Sequence, residues 1–135
     1  MTRYLLDTSA LIDFSKGREP ACTRILEMID TGDEVGVCAI NVAEFYAGLP
    51  PDTHPIWDEF FAALTYWPIS RQAAKKAGEY RYALARRGQV LATSDVLIAA
   101  VAEEHRAVVV TDNIKDYPMS DLQLLPLRPE GETPT

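Results

Sequence analysis

Short apolar runs alternate along this chain with longer segments whose apolar residues recur every three or four positions. The runs cover residues 4–6, 35–40, 108–110 and 122–127, and their length and apolar character predict strands. The longer segments cover residues 11–14, 21–29, 41–47, 55–64, 70–87 and 93–105, and their spacing predicts helices. Alternation of this kind is typical of an α/β fold with a parallel sheet.

Two segments are predicted to form the centre of that fold. Residues Val108–Val110 are all β-branched, which favours a parallel strand buried on both faces. The helix that begins near Thr93 is apolar nearly all round between Val96 and Ala102, so it is expected to be buried as well.

Length and composition predict one compact domain. The chain has 135 residues, of which 47% are hydrophobic, and this suffices for a core of its own. We expect the domain to cover residues 1–127 and residues 128–135 to form a flexible tail, since this end contains Pro129, Gly131 and Pro134. The chain lacks a membrane-length apolar run and a signal peptide, which predicts a cytoplasmic protein with no membrane partner.

The charge distribution is uneven. The formal net charge of -7 argues against a protein that coats nucleic acid non-specifically. Between Arg71 and Arg87, however, the predicted helix carries six cations and one acid. Arg71, Lys75, Tyr82 and Arg86 share one helical face, which is either a solvated surface or a surface that contacts the phosphates of RNA.

Carboxylates recur where predicted strands end and the following helices begin. Asp7 follows the first strand, Glu44 lies early in the helix after the second, and Asp95 lies at the start of the buried helix. Asp112 and Asp116 follow the β-branched strand. Because these positions lie at one edge of a parallel sheet, the carboxylates are expected to converge in the crevice where such folds bind ligands.

A purely structural role for the same acids is the alternative. Asp7, with Thr8 and Ser9 after it, suits the N-terminal cap of a helix. Asn41 is predicted as the N-cap of the next helix, and Glu44 would then complete a capping box.

Convergent carboxylates would favour a hard divalent cation. Oxygen ligands are matched to Mg²⁺, for which Mn²⁺ can substitute, and are poorly matched to zinc. These ions serve phosphoryl chemistry, in which they activate water and offset charge on the phosphate.

Four short motifs in this order resemble the PIN domain, and the chain as a whole resembles its VapC-type toxins. The motifs are Asp7-Thr8-Ser9-Ala10-Leu11-Ile12-Asp13, Asn41-Val42-Ala43-Glu44, Ser94-Asp95-Val96-Leu97-Ile98-Ala99-Ala100, and Val110-Thr111-Asp112-Asn113 with Asp116-Tyr117. The resemblance implies helices on both faces of a parallel sheet, in three layers, and Mg²⁺-dependent endonucleolytic cleavage of RNA by a metal-activated water. It also implies a homodimer and a small antitoxin whose C-terminal segment blocks the site.

The resemblance further implies Asp7, Glu44 and Asp95 as the acidic core of a metal site. The fourth acid is open, because the position where many relatives carry an acid is Asn113 here, which can bind a metal only as a neutral ligand. Asp116 is favoured over Asp112 as the fourth catalytic acid. The residues expected to support the site are Thr8, Ser9 and Thr111.

Two other functional classes compete with this hypothesis. A phosphatase or other phosphotransfer domain also places an aspartate after a parallel strand, but a haloacid-dehalogenase-type enzyme needs a second aspartate where this chain has Ser9. A catalytically silent binding domain would use the acids only as helix caps. Metal-dependent cleavage of RNA distinguishes these classes.

Overall fold

The computed structural model describes residues 1–128 and contains one parallel sheet of five strands. The strands are β1 (Arg3–Leu6), β2 (Glu34–Cys38), β3 (Thr65–Trp67), β4 (Val108–Val110) and β5 (Leu124–Leu125), in the spatial order β3-β2-β1-β4-β5. The α-helices are α1 (Thr8–Ser15), α2 (Ala21–Asp30), α3 (Ala39–Ala47), α4 (His54–Ala62), α5 (Arg71–Ala85) and α6 (Thr93–His105). Single turns of 3₁₀ helix lie at Pro51–Thr53 and Ile114–Asp116.

The first strand lies in the middle of the sheet. Leu5 of β1 pairs with Gly36 of β2 on one side and with Val109 of β4 on the other. All pairings are parallel, so the strands end at one common edge. That edge is where β1 delivers Asp7 and β4 delivers Thr111.

Helices cover both faces of the sheet, because successive side chains of a strand point to opposite sides. Leu5 and Val109 pack into one core with α5 and α6, whereas Leu6 and Val110 pack into a second core with α1, α2 and α3. The predicted three-layer α/β/α architecture is therefore confirmed.

Helix α6 is the most buried helix, as its apolar sequence predicted. Its residues Ala99–Ala102 are fully enclosed between the sheet and α5. Even so, no helix among residues 1–128 is both long and apolar enough to cross a membrane.

The predicted N-cap at Asn41 is wrong. Helix α3 begins two residues earlier, at Ala39, and Cys38 is the N-cap, so β2 ends at Cys38 and does not reach Ile40. The Asn41 side chain instead accepts a hydrogen bond from the Cys38 backbone N–H at 2.9 Å. Glu44 lies beyond the first turn of α3, so the capping-box interpretation of this acid fails with the N-cap.

Helices α5 and α6 pack antiparallel, and two hydrogen bonds mark their paired ends. Ser70 caps α5 as predicted and accepts from the Ala73 N–H, and its hydroxyl donates to Glu104 near the end of α6. At the opposite end, the Arg81 guanidinium donates to the Thr93 hydroxyl at the start of α6. The C-terminal half of α5 is therefore the half nearer to Asp95.

The packed chain continues one residue beyond the predicted domain boundary at 127. The backbone N–H groups of Leu127 and Arg128 both donate to Asp112, and the Arg128 guanidinium forms ion pairs with Asp112 and Asp13. Arg128 is thus part of the folded domain, and the rest of the expected tail, residues 129–135, lies outside the described residues.

Candidate active site

A cleft of about 250 Å³ opens at the carboxyl edge of the sheet. It is formed where β1, α3, α6 and the segment after β4 meet. The lining residues are Asp7, Thr8, Ser9, Ile12, Glu44, Ser94, Asp95, Asn113, Asp116 and Tyr117. The four acids expected from the sequence as catalytic therefore line one cleft, although they are far apart along the chain.

Asp7 lies at the bottom of this cleft and also caps α1. It is 3% exposed, and its carboxylate accepts hydrogen bonds from the Ala10 N–H and the Ser9 hydroxyl, both at 2.8 Å. Burial raises the pKa of Asp7, and this effect outweighs the hydrogen bonds from Thr111, Ala10 and Ser9, which lower it. The side chain is therefore both a cap and a desolvated acid that a nearby positive charge would stabilise in its ionised form.

Glu44 reaches the cleft from α3 and is connected to α1 through Thr8. The Thr8 hydroxyl donates to Glu44 Oε1 at 2.6 Å. Because Thr8 is in the first turn of α1, this bond fixes the Glu44 carboxylate relative to Asp7. The remaining carboxylate oxygen of Glu44 is available to a ligand.

Asp95 is the acid on which the others act most strongly. Burial, followed by the negative charges of Asp116, Asp7 and Glu44, raises the pKa of Asp95 to about 6. The buried Tyr117 hydroxyl donates to Asp95 Oδ1 at 3.5 Å. Asp95 also lies in the first turn of α6, where the backbone N–H groups are free and the helix dipole favours a negative charge.

The segment after β4 divides its polar residues between two sides. Asn113 and Asp116 line the cleft, and the Asn113 N–H is fixed by the buried Thr111 hydroxyl at 3.0 Å. Asp112 is directed away from the cleft, where its carboxylate binds Arg128. Of the three candidates for the fourth acidic position, Asp116 is the acid that faces Asp95.

The chemistry of the cleft fits a hard divalent cation. Its donors are carboxylate and amide oxygens, and a bound cation would offset the burial and the mutual repulsion that raise the pKa of Asp95. Within residues 1–128, no three His, Cys, Asp or Glu side chains are already arranged around an ion position. Small side-chain rotations would therefore have to accompany binding.

The basic face predicted on α5 points away from this cleft. Arg71, Lys75, Tyr82 and Arg86 are all exposed, on the side of the helix roughly opposite to its buried residues. The Arg86 guanidinium lies 4.3 Å from the centre of the Tyr82 ring. Arg71 is at the end of α5 that meets Glu104, so the structure does not bring it to the acids.

Two residues near the site were not predicted as part of it. Asn41 is fully buried and donates through its side-chain amide to the carbonyl of Leu6, directly before Asp7, so it links the start of α3 to the end of β1. Tyr117 is 3% exposed and its hydroxyl meets Asp95. The sequence does carry a signal for Tyr117, because it follows Asp116, but nothing local indicates that Asn41 bonds to a residue 35 positions earlier.

Comparisons with known proteins identify the family of this chain and agree with its fold. The PIN domain family model matches residues 4–116. Ribonuclease VapC19 of Mycobacterium tuberculosis is 30% identical over 122 residues, which cover 88% of this chain and 96% of the relative.

Among solved structures, VapBC2 from Rickettsia felis, bound to a promoter DNA fragment, superposes with a TM-score of 0.81 at 24% identity, over 93% of this chain and 98% of that one. A toxin–antitoxin complex from Klebsiella pneumoniae gives a TM-score of 0.73 at 23% identity, over 88% and 94% of the two chains. These structural likenesses support the fold, and the family match and the VapC19 relative extend over most of the chain. The protein therefore belongs to the PIN-domain family and, within it, to the VapC ribonucleases.

Proposed function

We propose that this chain is the toxin of a toxin–antitoxin pair and cleaves RNA endonucleolytically with Mg²⁺ held by Asp7, Glu44, Asp95 and Asp116. The observation that carries the proposal is the convergence of four acids from separate elements in one cleft, where burial and the charges of the other three acids raise the pKa of Asp95 to about 6. When bound, the cation would generate a nucleophile from water and offset negative charge on the scissile phosphate. Asn113 would add a neutral oxygen ligand at the rim of the cleft.

Hydrogen bonds among the cleft residues hold the side chains that would meet a phosphodiester. Asp7 is held by its cap bonds, and Glu44 by Thr8, so both carboxylates are already restrained before substrate enters. Burial and the nearby acids raise the pKa of Tyr117 far above neutral pH, so its hydroxyl keeps its proton and stays a donor to Asp95. The Ser9 hydroxyl donates to Asp7 Oδ1, and hydrogen bonding by Thr111 counts among the causes that lower the pKa of Asp7.

The expected partners follow from the relatives. Similar structures include a toxin–antitoxin complex, and an antitoxin segment that covers this acidic cleft would inhibit the enzyme. We also infer a homodimer, as the family resemblance implied. Which RNA is cut is decided outside the cleft, by surfaces that contact the nucleotides around the scissile bond.

The exposed face of Arg71, Lys75, Tyr82 and Arg86 is one such proposed surface. Its outward direction suits phosphates beyond the cut site. Replacing Lys75 and Arg86 together by Ala should weaken RNA binding and reduce the salt dependence of the affinity, by roughly 0.7 in log–log slope for each lost phosphate contact. A wild-type salt slope in the double variant would assign this face to another partner, such as the antitoxin or the second subunit.

The proposed function is tested by two measurements on purified protein freed of divalent ions. Cleavage of total bacterial RNA should appear on addition of Mg²⁺ or Mn²⁺ and disappear with EDTA. In the absence of RNA, Mg²⁺ should raise the melting temperature, because it binds the native state only.

The gain in melting temperature should shrink in Glu44→Gln, while Glu59→Gln on exposed α4 should behave as the wild type. If Mg²⁺ leaves the melting temperature unchanged and the RNA remains uncleaved in the presence of Mg²⁺ or Mn²⁺, the catalytically silent binding domain is favoured.

A further inference from the structure

One cation of α5 is hydrogen-bonded to the start of α6, which borders the acidic cleft, whereas no residue of the exposed basic face is among the residues that line this cleft. Arg81 Nη1 donates to the Thr93 hydroxyl at 2.7 Å. Thr93 is the first residue of α6, and the next two residues, Ser94 and Asp95, line the cleft. The guanidinium is therefore anchored at the rim of the site, on the helix terminus that supplies one of its acids.

The position of Arg81 around the helix explains this contact. Successive residues of an α-helix are about 100° apart, so Arg81 lies on the flank of α5, between the buried side of Ala77 and Leu84 and the exposed side of Tyr82. Arg71 lies on the outward face and ten residues earlier, about 15 Å away along the axis. Only a residue on this flank and in this half of α5 can reach Thr93.

The other cations near the C-terminal end of α5 have different surroundings. Arg86 lies over the ring of Tyr82, and Arg87 borders a groove on the opposite flank, next to Tyr80 and Asp121. Arg81 is exposed and uses one of its five N–H groups on Thr93, so the rest of its planar fork remains for a ligand.

A cation beside the cleft would offset the repulsion between its acids and the phosphates of an RNA substrate. Four carboxylates surround the place where a phosphodiester must enter, and the molecule as a whole carries a charge of -7. A metal ion offsets charge at the phosphate being cut, but the phosphates on either side meet the same negative field. A guanidinium that is already held in place binds a phosphate in a bidentate manner and loses little conformational entropy on doing so.

We propose that Arg81, positioned by Thr93, binds an RNA phosphate adjacent to the scissile one and so positions the substrate strand across the cleft. This inference rests on the proposed ribonuclease function and assigns a substrate contact within it. It places the strand along the start of α6, between the acids and the C-terminal half of α5.

The test compares Arg81→Gln with Arg87→Gln, because both arginines are exposed, lie near the same end of α5 and face opposite flanks. Binding of a short labelled single-stranded RNA of mixed sequence is measured in an Asp95→Asn background over a range of salt. Arg81→Gln should weaken binding about tenfold and lower the salt slope by roughly 0.7, the value for one phosphate contact with single strands. Arg87→Gln should leave both quantities unchanged.

Two further variants separate charge from geometry. Arg81→Lys keeps the charge and should restore the salt slope but only part of the affinity, because an ammonium lacks the planar fork. Thr93→Val removes the anchoring hydroxyl at nearly constant shape and should weaken binding while the slope stays that of the wild type. In kinetics on cleavable RNA, Arg81→Gln should raise KM and leave kcat within a factor of a few.

The inference is overturned if Arg81→Gln and Arg87→Gln bind RNA alike, or if Arg81→Gln lowers kcat at saturating RNA with KM unchanged. Failure of the proposed function has a different signature, since the wild type would then not cleave RNA with any divalent metal. The melting temperature of each variant in Mg²⁺ is the folding control, and for Arg81→Gln the gain caused by Mg²⁺ should equal that of the wild type.

Discussion

At the scale of single residues, Asp7 is placed for both of the roles weighed from its sequence, that of helix cap and that of proposed metal ligand. It caps α1 through the Ala10 N–H, and it lies 3% exposed at the bottom of the acidic cleft. A cap needs only an oxygen acceptor, which Asn supplies as well as Asp does. A metal site needs the negative charge of the carboxylate, so replacing Asp7 by Asn would keep the cap and remove the proposed metal ligand.

Asp7→Asn and Asp95→Asn should each lower the rate of RNA cleavage by well over 100-fold and leave the fold intact. Loss of a residue that only supports a metal ligand costs about 10–100-fold, so loss of a charged ligand should cost more. Single-turnover cleavage and denaturant unfolding measure the two effects. Asp30→Asn, at the exposed end of α2, is the matched control and should remain active.

Asp95 also predicts an unusual dependence of stability on pH. Its pKa is raised from 3.8 to about 6 in the folded, metal-free protein. The folded state therefore binds more protons than the unfolded state between these values, so the free energy of unfolding falls as pH rises through this window. With EDTA present, the melting temperature should decrease from about pH 4 to about pH 6.5, over the interval that the two pKa values define.

Asp95→Asn should flatten this part of the pH profile, because the titrating group is gone. Added Mg²⁺ should also flatten it, since a bound cation favours the ionised carboxylate. An identical pH profile of the melting temperature in wild type and variant would show that the pKa of Asp95 is not raised in the folded protein.

At the scale of elements, the pairing of β2 with β3 depends on the absence of a side chain at Gly36. A Cβ atom there would lie 2.5 Å from the Trp67 ring and 2.9 Å from the carbonyl of Thr65. Neither neighbour is the flexible end of a side chain, so the strands would have to separate. The sequence pattern did not predict β3, because a strand of three residues carries too little pattern, and the absence of a side chain at Gly36 is what allows this edge strand to pair with β2.

Gly36→Ala should therefore destabilise the protein by about 1–3 kcal/mol, the usual cost of overpacking a core. Gly78→Ala is the control on a helix, because a Cβ there meets nothing within 4 Å. It should instead stabilise by roughly 0.5–1 kcal/mol, since glycine is a poor helix former. Urea unfolding of the two variants checks both signs.

The sequence predicted helix starts and helix burial correctly where local residues determine them, and less well where contacts with distant residues determine them. Ser70 caps α5 and α6 is buried, as local sequence indicated. The start of α3 was predicted too late because Asn41 resembles an N-cap, whereas its side chain bonds to Leu6 in strand β1. Likewise, the convergence of the acids followed from a parallel sheet, whereas the direction of Asp112 depends on Arg128, which no local pattern connects to it.

At the scale of the whole molecule, the Arg128 ion pairs join the end of the described chain to its beginning. Arg128 bridges Asp112, next to the cleft segment, and Asp13 in α1, and all three side chains are nearly buried. Asp13 is also paired with Arg18. The guanidinium thus holds together α1 and the loop that carries Asn113 and Asp116.

Arg128→Met should cost about 3–5 kcal/mol, because two carboxylates are left nearly buried with one of their cations missing. Adding Asp112→Asn should recover part of the loss by removing one unpaired charge. Guanidinium unfolding of the single and double variants gives the coupling directly. Equal destabilisation in the two variants would mean that Asp112 gains nothing from the ion pair.

The position of β1 in the middle of the sheet has a consequence for synthesis of the protein. During synthesis β1 is made before β4, and the two are about a hundred residues apart, so the second edge of β1 stays unpaired and Asp7 is not enclosed until β4 has been made. The acids themselves appear in the order 7, 44, 95 and 116, and Arg128, which pairs with Asp112 in the loop that carries Asp116, is made later still. We therefore expect a nascent or truncated chain that ends before β4 to lack both the second neighbour of β1 and the fourth acid of the cleft, and so to leave the RNA around it uncut.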